Sequence, residues 1–248
     1  METDLKIFDT VDSTNDTLKE LADKGAAEGT CVLAFCQRKG QGRSGRRFFS
    51  PDGGNMYMSL LLRPNDIEST DMITVTAAVA VVSAIKEVFG TDTGIKWVND
   101  IIYGKKKICG IIATAYNVGT EEMYIILGIG INIYKSSCVP EDIRDIYGSL
   151  YDKECDLSGQ EIRDRCAKLC LTIVRKFSYY HENSLYNDVI SEYRKHCVVI
   201  GCDVEYQSGG KKISAKVIDI DDKGGIVLDT GGSVRTFRDG EIRIRCKT

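Results

Sequence analysis

The chain has 248 residues and a slightly acidic balance, with a formal net charge of −3 and a pI near 5.6. This length is enough for one large domain, or one domain with a small satellite, that buries a sizeable core. Hydrophobic residues make up 43% and charged residues 28%, as in an ordinary soluble globular protein. Because the overall charge is not basic, we expect no DNA-binding face and no nucleic-acid partner.

No targeting or membrane-spanning segment is predicted. The first ten residues are acidic and mixed, whereas a targeting signal would have a basic stretch followed by an apolar one. The longest apolar run, Val75 to Val82, is interrupted by Thr76 and falls short of a membrane span. The sequence therefore predicts a cytoplasmic protein with no membrane partner.

The ten cysteines are not arranged as a disulfide framework or a metal site. Several of them lie within apolar periodic segments, and no C-x-x-C pair occurs. The two histidines, His181 and His196, stand far apart in the chain. We expect reduced cysteines, no protein-bound metal and no histidine-based catalytic triad.

The chain opens with a short predicted strand, Leu5 to Phe8, followed by an amphipathic helix. Ser13 and Asp16 are spaced as an N-cap of that helix. The cluster of Ser13, Thr14 and Asn15 at a helix N-terminus suits recognition of a polar ligand, although capping alone would also explain it. The apolar segment Thr30 to Gln37 is predicted to be a buried strand.

A basic, glycine-rich segment, Gln37 to Pro51, follows directly and is called the basic loop below. It carries glycines at positions 40, 42 and 45, and its five cations are Arg38, Lys39, Arg43, Arg46 and Arg47. Closely approaching backbone amides and guanidinium groups suit a polyphosphate or a developing anion. The glycines match the dinucleotide-binding pattern, but a further strand follows where that motif requires a helix, so a Rossmann turn is excluded.

The middle of the chain predicts a core helix over Ser69 to Gly90 and then three consecutive strands between Gly94 and Ile131. Strands without crossover helices form an antiparallel meander, which indicates an α+β fold. Lys96 lies in the apolar segment KWVND, so we expect an anionic partner, either Asp100 or a bound ligand. The alternate glycines of GIGIN leave room on one sheet face for a flat ligand.

From Ser158 the pattern is helical again, with Ser158 and Glu161 spaced as a capping box, and a second helix covers Ser184 to Lys195. After Cys197 the sequence changes to short alternating strands separated by paired glycines. About fifty residues of this kind predict a small β-barrel. We therefore divide the chain into residues 1–197 and 198–248.

Four motifs in this order, DSTN, GQGRSGRRFFSP, KWVND with KKKICGII, and GIGIN, resemble those of the biotin protein ligases. The resemblance spans nearly the whole chain. It implies a mixed, mainly antiparallel sheet with helices packed on it, as in class II synthetases, followed by an SH3-like barrel. The implied enzyme joins biotin to ATP as biotinyl-5′-AMP, with Mg²⁺ accompanying ATP, and then transfers biotin to a lysine of a carboxyl carrier protein or a carboxylase carrier domain.

The resemblance also implies roles for individual residues. The catalytic residues would be Lys96, Arg43 and Arg46. The biotin site would be formed by Ser13, Thr14, Asn15, Gln37, Gln41, Gly42, Arg43, Lys96, Gly110, Gly128 and Gly130. The ATP site would be formed by Arg43, Arg46, Phe48, Asn99, Lys107 and Asn132, with Phe48 stacked on adenine and no metal ligand from the protein.

The sequence departs from the family pattern at four positions. Gln41 stands where arginine is common, Phe48 replaces tryptophan, Val98 replaces proline, and Thr114 replaces a frequent glutamate. These departures bear on how tightly the adenylate is held and on the shape of the basic loop. None removes a cation to which a catalytic role is given.

Other functions remain open at this stage. A lipoate or octanoate ligase or transferase of the same fold also acylates a carrier lysine, although the two loop arginines argue against it. A non-catalytic regulator that senses biotin is another alternative, and a homodimer is compatible with each of them. Some family members are also repressors with a helix-turn-helix domain. Here the catalytic motifs begin at Asp12, so we expect no such domain.

Overall fold

The computed structural model describes residues 1–45, 47–51, 54–64, 70–153, 156–208, 210–238, 242 and 244–246. The α-helices are α1 (Thr14–Asp23), α2 (Thr70–Phe89), α3 (Gly159–Glu182) and α4 (Tyr186–His196). The first seven strands are β1 (Asp4–Val11), β2 (Thr30–Gln37), β3 (Met56–Leu62), β4 (Gly94–Lys96), β5 (Asp100–Tyr103), β6 (Lys106–Tyr116) and β7 (Tyr124–Ile131). The last five are β8 (Asp203–Ser208), β9 (Lys211–Ile220), β10 (Ile226–Asp229), β11 (Val234–Phe237) and β12 (Ile244–Cys246).

The first seven strands form one mixed sheet in the order β1-β2-β3-β7-β6-β5-β4. Only the pair β1 and β2 is parallel; the other neighbours are antiparallel. The predicted α+β class is therefore confirmed. The prediction of three strands between Gly94 and Ile131 is wrong, because the chain reverses at Trp97 to Asn99 and makes four.

The apolar helix α2 lies against one face of this sheet and against α3 and α4. Its segment Met72–Phe89 is long and apolar enough to cross a membrane, so the sequence-based expectation of no such run was wrong. However, 72% of this segment is buried inside the protein. Burial of this extent is what a core helix shows, and we assign α2 to the core.

Helix α1 covers the opposite face of the sheet. Its apolar side chains Leu18 and Ala22 pack with Val32, Leu61 and Ile126 in a small buried cluster. The N-cap residue Ser13 accepts a hydrogen bond from a backbone N–H of the first turn, as predicted. The N-terminus of α1 is thereby fixed over the strands that carry the alternate glycines.

A second, five-stranded antiparallel sheet, in the order β11-β10-β9-β8-β12, follows α4 and agrees with the predicted C-terminal β unit. It shares one continuous apolar core with the first sheet. The indole Nε1 of Trp97 donates a hydrogen bond to the Gly224 carbonyl at 2.9 Å. This contact joins the turn that follows Lys96 to the C-terminal sheet. The nine cysteines in the described part of the chain are free thiols.

Candidate functional site

The N-terminus of α1, the end of β2 and Ser59 of β3 form a hydrogen-bonded cluster, called the α1 cluster below. Its members are Ser13, Thr14, Asn15, Gln37 and Ser59. The backbone N–H and the hydroxyl of Thr14 donate to Gln37 Oε1 at 2.8 and 3.0 Å. Ser59 Oγ lies 2.8 Å from Thr14 Oγ1 and 2.6 Å from Asn15 Oδ1. Ser13, Thr14, Asn15 and Ser59 are all buried, so this cluster is a fixed set of polar groups in an apolar setting. Four of its five members were predicted from the sequence.

Three glycines on neighbouring strands lie on the same sheet face, opposite this cluster. Gly110 pairs directly with Gly130 across β6 and β7, and Gly128 is two residues away on β7. A Cβ on Gly128 would lie 2.5 Å from Asn15 Oδ1, and a Cβ on Gly130 would lie 2.5 Å from the ring of Phe48. We call the surface formed by Gly110, Gly128 and Gly130 the glycine floor. A larger residue at Gly128 would clash with Asn15, and a larger residue at Gly130 would clash with Phe48.

Phe48 lies on the glycine floor that the resemblance assigns to biotin. Its ring would lie 2.9 Å from a Cβ on Gly110 and makes an edge contact with Tyr57, the ring centroids being 6.4 Å apart. Lys107 Nζ lies 5.8 Å from the ring centroid, in a cation–π contact. The predicted stacking on adenine would require the ring to leave this floor.

The basic loop folds back on itself around Ser50. Gln37 Nε2 donates to Ser50 Oγ at 3.0 Å, and that hydroxyl donates to the Phe48 carbonyl at 3.0 Å. The Phe48 N–H donates to the Gly40 carbonyl at 2.8 Å. Gly40 has no space for a side chain, because a Cβ would lie 2.3 Å from Ser50 Oγ. The same glutamine thus links the loop to the cluster on α1.

Two polar side chains of the loop reach across to the body of the protein. Gln41 Nε2 donates to the carboxylate of Asp16 on α1, at 2.8 and 2.9 Å from its two oxygens. Arg43 donates to Asn99 Oδ1 at 2.9 Å. Gly42, half-buried, lies between these two attachments. The loop is therefore attached on both sides of the glycine floor.

The start of the loop is held by an acidic residue outside it. Lys39 Nζ and Arg38 lie 2.8 and 3.5 Å from the carboxylate of Asp12. The hydrogen bond from Lys39 lowers the pKa of the Asp12 carboxyl below its usual value. Arg47 donates to the Arg38 carbonyl at 2.8 Å. Arg46, to which a catalytic role is given, lies outside the described residues.

Lys96, the last residue of β4, lies on the same sheet face as the three glycines. Lys96 pairs with Asp100 across the β4–β5 hairpin, and Asp100 pairs in turn with Gly110. The carboxylate of Asp100 forms its ion pair with Lys107, at 2.6 Å, and not with Lys96. Within the described part of the chain, Lys96 Nζ has no ion pair or hydrogen bond. The structural pair with Asp100 is therefore not formed, and the other expectation for Lys96, a bound anion, stays a prediction.

Asn132 is buried at the end of β7. Its Nδ2 donates to the Gly148 carbonyl at 2.9 Å, which fastens the segment after β7 to the sheet. Its Oδ1 is buried and has no hydrogen-bond partner among the described residues. Buried acceptors are rarely left without a donor, so this oxygen suits a ligand N–H.

The structure thus brings the sequence-predicted residues into three neighbouring groups. Ser13, Thr14, Asn15 and Gln37 share the α1 cluster, and Phe48 and Lys107 lie against the glycine floor of Gly110, Gly128 and Gly130. Gln41, Gly42, Arg43, Lys96, Asn99 and Asn132 lie around these two groups, and Arg46 is outside the described residues. Sequence reasoning missed Ser59, Ser50 and Asp16. Ser59 had a visible signal, because it is the one serine in the otherwise apolar strand MYMSLLL, whereas the partners of Ser50 and Asp16 are set only by the fold.

Comparison with known proteins finds relatives over most of the chain. Residues 7–132 match the model of the biotin/lipoate A/B protein ligase family. The chain is 32% identical over 241 residues to the bifunctional ligase/repressor BirA of Bacillus spizizenii, an alignment that covers 95% of this chain and 72% of that protein. The chain belongs to the biotin/lipoate A/B protein ligase family. The resemblance seen in the four motifs is confirmed.

Two further relatives within this family cover most of the chain. A biotin–acetyl-CoA-carboxylase ligase of Mycobacterium tuberculosis is 26% identical over 239 residues, covering 93% of this chain and 85% of that one. The structure of the Aquifex aeolicus biotin protein ligase in complex with biotin and ATP superposes with a TM-score of 0.82 at 26% identity. That alignment covers 99% of this chain and 100% of the Aquifex chain, so the family likeness includes the C-terminal β unit.

Proposed function

We propose that this family member is an ATP-dependent biotin protein ligase. It activates biotin as biotinyl-5′-AMP, releases pyrophosphate, and transfers biotin to one lysine of a carboxyl carrier protein or carrier domain. The observation that carries this proposal is the position of Lys96. It has no ion-pair partner among the described residues, and it lies in the same cross-strand row as Gly110 and Gly130. The ligands bound by the Aquifex relative, biotin and ATP, suit such a site.

In the first step, a carboxylate oxygen of biotin attacks the α-phosphorus of ATP. The new bond is the mixed anhydride C–O–P, the bond between the α-phosphorus and the bridging oxygen breaks, and pyrophosphate leaves. Biotin is already a carboxylate at neutral pH, so no general base is needed. The barrier is largely the approach of two anions, which Lys96 and Arg43 lower by placing fixed positive charge at the reacting oxygens.

In the second step, the neutral amine of the carrier lysine attacks the carbonyl carbon of the adenylate. An amide bond forms, the C–O bond to AMP breaks, and AMP leaves with the bonding electrons, while the amine proton passes to solvent. The mixed anhydride is readily hydrolysed, so a loop that closes over it preserves the intermediate. The basic loop, attached to both Asp16 and Asn99, is placed for that purpose.

The α1 cluster suits the ring of biotin. The side chains of this cluster offer both the donors and the acceptors that a neutral ureido group requires: Thr14, Asn15, Ser59 and Gln37. Because the cluster is buried, a polar group left without its hydrogen bond there would cost free energy. We place the fused ring there, with Ser13 and the glycine floor around it. The carboxylate then extends along Gly128 and Gly130 towards Lys96, and Phe48 must leave the floor as it binds.

We assign the ATP site to the other edge of the glycine floor. The Oδ1 of Asn132, which has no hydrogen-bond partner among the described residues, is suited to accept from the amino group of adenine. Lys107 and Arg43 are suited to contact phosphate oxygens. ATP enters with Mg²⁺. Within the described residues, no group of three acidic, histidine or cysteine side chains could hold a metal ion. We expect the ligands of Mg²⁺ to be mainly phosphate oxygens and water, as is usual for this ion with nucleotides.

The proposal also includes a division into domains and a cellular location. We divide the chain into a catalytic unit, residues 1–197, and a C-terminal SH3-like unit, residues 198–248. The change from helices to a separate antiparallel sheet after α4 supports that division. We also place the enzyme in the cytoplasm, where its carrier protein would be made.

The direct test is biotin-dependent exchange of labelled pyrophosphate into ATP, followed by transfer to a purified carboxyl carrier domain. We expect exchange with biotin, no exchange with lipoate or octanoate, and a labelled carrier lysine. Exchange with lipoate alone would overturn the substrate assignment in favour of a lipoate ligase. Tight biotin binding without any exchange would instead identify a biotin sensor.

A further inference from the structure

Asn99 occupies the turn between β4 and β5, three positions after Lys96, and is fixed there from two directions. Its carbonyl accepts from the Ile111 N–H at 3.0 Å, and its Nδ2 donates to the Ile111 carbonyl at 2.6 Å. The side chain is thereby held against β6 and cannot rotate freely. Its remaining polar atom, Oδ1, points to Arg43 of the basic loop and accepts its hydrogen bond at 2.9 Å.

We propose that Asn99 is a positioning residue that holds Arg43 over the reacting groups, and that it does not bind the nucleotide itself. The proposal rests on the ligase function given above. The resemblance placed Asn99 in the ATP site, but both ends of its amide are engaged by Ile111 and Arg43. On this proposal, any effect of Asn99 on ATP passes through the arginine.

The chemistry of an amide suits this role. The loop cations Arg38 and Lys39 are paired with the carboxylate of Asp12, which offsets their charge. The contact with Asn99 orients the Arg43 guanidinium without adding a negative charge beside it. A neutral acceptor thus fixes the direction of the cation and adds no charge of its own that would offset the field acting on the developing negative charge of the transition state.

A double-mutant cycle tests this directly. In wild-type background, Asn99→Ala is expected to lower kcat for biotin-dependent pyrophosphate exchange by about tenfold to a hundredfold, the usual worth of a hydrogen bond to a charged group. KM for ATP should change little. In an Arg43→Ala background the same substitution should change kcat by less than about twofold, because the interaction is already lost.

The opposite pattern would overturn the proposal. If Asn99→Ala raises KM for ATP with kcat unchanged, or lowers exchange equally in both backgrounds, Asn99 contacts the nucleotide independently. Asn187→Ala, on the exposed surface of α4, is the matched control and should leave exchange unchanged.

A measurement that does not depend on activity separates the positioning role from poor folding of a variant and from a failure of the proposed function. In trypsin digestion at Lys39 and Arg47, Asn99→Ala should be cut faster than wild type. Asn99→Asp keeps an acceptor for Arg43 and should remain protected. Equal cleavage of Asn99→Asp and Asn99→Ala would contradict the positioning role. If wild-type protein shows no biotin-dependent exchange but these digestion results hold, only the ligase function fails.

Discussion

The basic loop and the turn from Lys96 to Asp100 supply the cations of the same site, but they are held in opposite ways. The loop is attached mainly through partly exposed side chains, as in the contacts of Gln41 and Arg43. The turn is supported from beneath, because Trp97 is only 7% exposed and bonds to the C-terminal sheet. Under the proposed function, we expect the loop to open for substrates while the turn keeps its charge in place.

The largest effect is expected when the cation of the rigid element is removed. Lys96→Ala should lower biotinyl-5′-AMP formation by about a hundredfold or more, the usual cost of losing a preorganised electrostatic group. The fold should be unaffected, because Lys96 has no ion pair or hydrogen bond to lose within the described residues. Pyrophosphate exchange and thermal unfolding measure the two quantities. Lys105→Ala, on the exposed β5–β6 turn, serves as control, and equal loss in both variants would contradict the role.

The hydrogen bonds that hold the turn from Lys96 to Asp100 can be removed without changing a charged residue. Trp97→Phe removes the donor to the Gly224 carbonyl and should lower the free energy of unfolding by about 1–3 kcal/mol. Tyr193→Phe removes the 3.0 Å bond to the Val98 carbonyl on the same turn and is the matched comparison, with a loss of about 1 kcal/mol. Urea unfolding followed by circular dichroism measures both. Unchanged stability in the two variants would mean that the turn does not depend on these contacts.

The contact of the basic loop with the sheet can be tested at the glycine floor. Gly130→Ala places a methyl group on the floor, 2.5 Å from the Phe48 ring, in the space that biotin is proposed to occupy once the ring has left. Exchange should therefore fall about tenfold, because the added methyl overpacks the ligand. Adding Phe48→Leu should recover little of that loss, and full recovery in the double variant would show that the glycine serves the loop and not the ligand.

The smallest effect is expected at the base of the loop. The hydrogen bond from Lys39 lowers the pKa of the Asp12 carboxyl, so Asp12 stays charged in the neutral range, and substitution is the way to remove its charge. Asp12→Asn should change exchange by less than about threefold, since exposed ion pairs contribute at most about 1 kcal/mol. Steady-state kinetics at low and high salt check this. A tenfold loss would make Asp12 part of the loop's closing mechanism.

Much of the fold could be predicted from local pattern. The capping residues Ser13 and Ser158 and the apolar strands β2 and β3 are each encoded within a few neighbouring positions. The reversal between β4 and β5 was missed, because Trp97 and Val98 are both apolar and buried and resemble a continuing strand. No glycine marks that turn; its position depends on packing against α4 and the C-terminal sheet.

The site was predictable in its residue types and less so in its pairings. Lys96 and Lys107 are both within reach of Asp100 by sequence, and the register shift between β5 and β6 decides in favour of Lys107. The attachment of Gln41 to Asp16 joins positions 25 residues apart and leaves no local signal. Contacts between elements of this kind come from the assembled sheet.

Hydrogen exchange of the backbone amides in segments 38–51 and 94–100 tests the contrast most directly, in wild-type protein before and after adding biotin and MgATP. We expect slow exchange in segment 94–100 under both conditions, and a large gain of protection in segment 38–51 only when both substrates are present. Equal gains in the two segments, or a gain confined to segment 94–100, would contradict the assignment of a fixed turn and a closing loop.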